Sequence, residues 1–135
     1  MSKIYKRHYD FNTAGRAAFR AVLVSDVHES APGEIINAVS SASPDVIFVA
    51  GDLFETGDKY TSGIHRRSSP ENAYEFLREA SYISPVYYGV GNHDAELTGE
   101  MRERILKCGT VLLENADTEI TCVHGSTPVL VGATT

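Results

Sequence analysis

The chain has 135 residues, enough for one domain with a real core and too few for two ordinary ones. About 42% of residues are hydrophobic and 22% are charged, as in a water-soluble globular protein, and no stretch approaches the roughly 20 apolar residues of a membrane helix. The net charge of -6 argues against a basic surface that binds nucleic acid nonspecifically.

The first seven residues carry charge with no apolar run behind them, so no signal peptide is expected. The two cysteines, Cys108 and Cys122, sit beside apolar residues and read as buried free thiols rather than a disulfide frame. A cytoplasmic location fits that reading.

Apolar runs alternate with amphipathic stretches, which predicts an α/β fold with a mostly parallel sheet and flanking helices. Residues 4–11 form a candidate edge strand. Residues 21–24 form the first convincing strand, nearly all apolar as a strand covered on both faces should be. A helix is expected over 33–42, with Pro32 in its first turn and Ile35, Val39 and Ala42 on one face. Pro44 ends it, and a second strand covers 46–50.

Residues 55–69 are polar and read as a long surface loop. Ser69 then caps a second helix, with Pro70 in the first helical position. That helix covers 71–81 and turns Ala73, Phe76, Leu77 and Ala80 inward. A third strand covers 86–90. A third helix starts near Thr98, places Met101, Ile105 and Cys108 on one face, and stops at Gly109. The rhythm then changes to short strands over 111–113, 119–123 and 129–131. The last two are expected to pair as a C-terminal β-hairpin turning through His124, Gly125 and Ser126.

Three strands end in polar clusters: Asp26-Val27-His28, Gly51-Asp52, and Gly91-Asn92-His93-Asp94. In open parallel sheets the carboxyl ends of neighbouring strands share one crevice. Asp26, His28, Asp52, Asn92 and His93 are therefore expected to converge. Asp, His and Asn donors suit Zn, Mn, Fe or Ni, and no thiolate is among them. Alternation along an extended chain would point Asp26 and His28 the same way, onto one ion. Asp52, with two carboxylate oxygens, can bridge two ions about 3.5–4 Å apart, and Asn92 offers an amide oxygen to the second. Gly51 and Gly91 permit sharp turns after their strands.

These three clusters, in this order and each after an apolar strand, resemble the first three motifs of the calcineurin-like metallophosphoesterase family. The resemblance spans residues 21–135 and makes the whole chain, 1–135, a partial domain of that kind. It implies the first half of an αββα sandwich and two divalent metal ions, of Mn, Fe, Zn or Ni. It implies that Asp26 and His28 hold the first metal, Asp52 bridges both, and Asn92 holds the second. His93 would face the leaving group as general acid or cation, and Asp94 would orient His93. The implied activity is phosphomonoester or phosphodiester hydrolysis, and the implied partner is a phosphate-ester substrate.

The family pattern continues with a lone His and then Gly-His-x-His, which does not occur in this chain. The remaining histidines are His8, His65 and His124. His124 reads as an exposed turn residue, His65 as part of a polar loop with Arg66 and Arg67, and His8 as structural or exposed. Glu29 stands where many relatives carry a small residue. A shortened chain accounts for the gap, and an uncovered sheet face would then favour self-association. The alternative function is a non-catalytic module of the same fold with an incomplete metal site. A nucleotide-binding domain fits the alternation but lacks a Gly-rich phosphate loop after the first strand.

Overall fold

Four short apolar runs build the frame. In a computed structural model, which describes residues 4–10, 19–54, 69–90, 97–120 and 129–133, β1 (Ala21–Val24), β2 (Val46–Ala50), β3 (Val86–Gly89) and β4 (Thr110–Leu113) lie side by side in that order. Every pairing is parallel. Parallel neighbours need a crossover between them. Here α1 (Gly33–Ser41), α2 (Pro70–Ile83) and α3 (Gly99–Lys107) each follow one strand and precede the next.

The strand period of two sorts the side chains onto two faces. Val24, Ile47, Val49, Val86 and Tyr88 meet the three helices and form one core with Val39, Phe76, Leu77 and Ile105. The register aligns Leu23, Phe48, Tyr87 and Val111 in one row on the other face. Leu23 is 69% exposed and Val111 42%, while Phe48 and Tyr87 are half-buried against each other, ring centroids 6.0 Å apart.

Local chemistry sets the helix ends as expected. The Ser69 hydroxyl accepts from the Glu71 amide at 3.3 Å, and Pro70 takes the first helical position. Ala73, Phe76, Leu77 and Ala80 are fully buried. Thr98 caps α3 by accepting from the Met101 amide at 3.2 Å. Gly109, at φ 85, turns the chain out of α3 in the left-handed conformation that glycine adopts without steric cost. Cys108 is a free thiol, half-buried, and burial pushes its pKa up. Cys122 lies outside the described residues.

Two expectations need correction. Residues 4–10 form no strand and are exposed throughout. Lys6, Arg7, His8 and Asp10 leave that run without an apolar face to bury. The C-terminal pair also begins earlier than expected: β5 (Ala116–Ile120) runs antiparallel to β6 (Val129–Ala133). The turn expected at 124–126 lies outside the described residues, as does the loop of 55–68. Among the described residues no helix is long and apolar enough to cross a membrane.

Polar ties join the helices to each other and to the sheet. Arg104 grips Glu71 through two hydrogen bonds, 2.9 and 2.8 Å, and lies 3.8 Å over the Tyr74 ring, binding α3 to α2. Arg102 grips Glu114 with Nε at 2.9 Å and Nη2 at 2.8 Å, and its Nη1 donates to the Leu97 carbonyl.

Phe76 lies in the centre of the core with no exposed surface. Phe76→Ala is expected to remove about 3–5 kcal/mol of stability, measured by denaturant unfolding. Arg102 holds the Glu114 carboxyl below the usual glutamate range. The stabilisation is therefore present above the unfolded pKa and is lost as pH falls through the lowered folded one. Glu114→Gln is expected to lower Tm at pH 7 by a few degrees at most. That difference should shrink as pH falls below the ordinary glutamate range and vanish once the lowered folded pKa is passed; a deficit that persists in strong acid would point to lost packing instead.

Candidate metal centre

β1 and β2 are adjacent and parallel, with Val24 opposite Val49, so their carboxyl ends open onto the same edge of the sheet. Past β1 the chain turns sharply. Asp26 has φ 58, His28 φ 49 and Glu29 φ 54, all left-handed. Between them Val27 is 2% exposed and belongs to the core. The buried valine anchors the turn from below and leaves Asp26 exposed and His28 half-buried on either side of it.

Past β2 the chain does the same. Gly51 has φ 68 and Asp52 φ 54, and then Leu53 and Phe54 plunge into the core with no exposed surface. The two turns are stitched together by backbone. The His28 amide donates to the Asp52 carbonyl and the Glu29 amide to the Leu53 carbonyl, each at 2.9 Å. The Ser30 amide closes the first turn on the Val27 carbonyl at 3.0 Å.

The result gathers three donors. One ligand atom each from Asp26, His28 and Asp52 lie within 4.8 Å of one another. The Asp26 Oδ1 to His28 Nε2 distance is 3.5 Å. Bonds of about 2.0–2.2 Å place donors on one ion roughly 3–4.4 Å apart. Three donors within 4.8 Å of one another are close to that spacing. Two carboxylates and one imidazole are also the right donors for Mn, Fe, Zn or Ni.

Asp26 and His28 thus meet, but not by the expected route. An extended Asp-x-His would have aligned them by alternation. Instead both sit in left-handed backbone, and the turn itself brings them to one side. Of the non-glycine residues with positive φ among the described residues, four of six lie in these two turns. Asp and His tolerate that region better than most residues. Glutamate has no such advantage, so Glu29 is held there by its surroundings.

Those surroundings are specific. Glu29 is 6% exposed, and its carbonyl accepts from the Ser69 amide at 3.2 Å and the Asn72 side-chain amide at 3.0 Å. The sequence marks Glu29 only as a departure from the family pattern. Nothing in the sequence links it to Asn72, 43 positions away.

Asn92, His93 and Asp94 lie outside the described residues, as do His65 and His124. The strand that leads to the first three is described. β3 pairs with β2, with Gly89 opposite Ala50, and the Val90 amide donates to the Leu113 carbonyl at 3.2 Å. β3 therefore ends at the same edge as β1 and β2. His8 is exposed and 3.1 Å from Asp10, as an exposed structural histidine would be.

Residues 19–133 match the sequence model of the calcineurin-like phosphoesterases. No curated protein matches the chain. The matched span takes in all four parallel strands and both turns that gather Asp26, His28 and Asp52. On that match the chain belongs to the calcineurin-like phosphoesterase family.

Proposed function

We propose that this chain carries the metal-binding edge of a phosphoesterase that hydrolyses phosphomonoesters or phosphodiesters at a site for two divalent ions. The gathering of Asp26, His28 and Asp52 within 4.8 Å carries this reading, together with the family match. A fold without metal chemistry has no need to hold two carboxylates and an imidazole together in left-handed backbone.

When bound, divalent ions supply Lewis acidity toward phosphoryl oxygens and lower the pKa of water. The chain's own residues hold and orient. Asp26, His28 and Asp52 would hold the first ion, and Asp52 together with Asn92 would hold the second. His93 gives a proton to the leaving oxygen, or faces the phosphoryl oxygens as a cation, and Asp94 fixes its ring. The net charge of -6 would repel a phosphate ester, so cations at this edge are also what lets the substrate approach.

A second reading is a module of the same fold whose metal site stays incomplete. It is favoured by one observation, the absence of Gly-His-x-His from the 135 residues.

Hydrolysis of p-nitrophenyl phosphate and bis-p-nitrophenyl phosphate with and without manganese separates the two. Under the first reading the rate depends on manganese and is abolished by a chelator. Asp52→Asn should then cost about a thousandfold, the value of several kcal/mol of lost charge stabilisation. His93→Ala should lower kcat while metal affinity stays unchanged, since its proposed role is proton transfer rather than ligation. A folded chain that binds manganese and hydrolyses neither ester would sink the first reading and leave the second.

A further inference from the structure

The turn that carries Asp26 and His28 is clamped from behind by α2. Glu29 is the clamped residue. Its amide donates to Leu53, and its carbonyl accepts from both the Ser69 amide and the Asn72 side chain. Asn72 is itself fixed, because its own amide donates to the Ser69 carbonyl at 2.9 Å. The next residues, Ala73, Tyr74, Phe76 and Leu77, are buried in the core, so this end of α2 is a rigid base.

The same helix also holds the other turn. Phe54, two residues past Asp52, packs against Tyr74 with ring centroids 5.0 Å apart. One turn of α2 therefore touches both metal-bearing turns, by a hydrogen bond on one side and a ring contact on the other.

From this geometry we propose that Asn72 is a positioning residue for the metal centre: its side-chain amide pins Glu29 in the left-handed conformation that keeps His28 beside Asp52. The proposal rests on the metal-site reading above. The physical reason is local. A glutamate in left-handed backbone returns to a commoner conformation when its restraints are released. Rotation at Glu29 swings the adjoining His28, whose amide is bonded to Asp52. Loss of the Asn72 amide leaves the Ser69 amide in place, so the turn loosens rather than unfolds. Hydrogen bonds made directly to metal ligands are worth about 10–100-fold in affinity, and a bond to the backbone beside a ligand acts through the same positioning.

The test is manganese binding by the whole 135-residue chain, measured by titration calorimetry, beside Tm of the metal-free protein. Asn72→Ala removes the donor and keeps a strong helix former in α2. Asn72→Leu removes it while keeping the branched outline of the side chain, and is read by the same criterion if the alanine variant does not fold. Glu79→Gly loosens the same helix away from the turn and reports what helix destabilisation alone does.

The expected result is a 10–100-fold rise in the manganese Kd for the Asn72 variants. Their metal-free Tm should stay within a few degrees of the parent, and Glu79→Gly should lower Tm with no change in Kd. The His28 ring signals in 1H–15N spectra should also shift or broaden in the Asn72 variants only. Unchanged manganese affinity in folded Asn72 variants, in a protein where Asp52→Asn does weaken binding, overturns the positioning role and leaves the metal centre standing. Equal binding by the parent and Asp52→Asn removes the metal centre and the inference with it.

Discussion

The amides of His28 and Glu29 donate to the carbonyls of Asp52 and Leu53, and the rest of the centre depends on that pair of bonds. They continue the β1–β2 pairing beyond the strands, at the point where both chains turn out of the sheet. Without them the two turns would be separate loops. With them, Asp26 and His28 from one turn and Asp52 from the other form one cluster. Side chains brought together by backbone do not depend on their own hydrogen bonds to stay gathered.

The arrangement is costly and is offset nearby. Left-handed backbone costs of order 1–3 kcal/mol per non-glycine residue, less for Asp and His. Val27, Leu53 and Phe54 lie within two residues of these strained positions and are almost wholly buried. Full burial of a side chain of that size contributes about 1.5–3 kcal/mol. The sequence thus interleaves residues that the core pulls inward with residues that chemistry needs outside. Three rigid apolar anchors leave the polar residues between them little choice of conformation.

The frame was legible because its signals are local or strictly periodic. Ala73, Phe76, Leu77 and Ala80 announce α2, Ser69 with Pro70 its start, and Gly109 the end of α3, all from short windows of sequence. The apolar strands β1 to β3 and the polar residue that follows each were legible for the same reason. Residues 4–10 were misread because two tyrosines and an isoleucine suggest a strand only if the charged residues between them are discounted. The geometry of Asp-x-His was misread because a left-handed turn and an extended strand can bring the same two side chains together. Sequence spacing does not distinguish them. The clamp on Glu29 was not legible at all, since it joins residues 43 positions apart with no periodicity between them.

A second helix shows the same logic in another form. Arg102 of α3 donates to the carbonyl of Leu97 and to both oxygens of Glu114, just past β4. Leu97 is buried and follows directly on residues 91–96, which carry the third polar cluster. The residues that flank this cluster in the sequence are both held, Val90 by its amide on the Leu113 carbonyl and Leu97 by the guanidinium on its own carbonyl. Asn72 and Arg102 sit on different helices, yet each donates to a backbone carbonyl, Asn72 to that of Glu29 and Arg102 to that of Leu97. The two helices are in turn bound to each other through Glu71, Arg104 and Tyr74. The helical layer therefore does more than cover one face of the sheet. Through Asn72 it also holds the backbone of the first turn from behind.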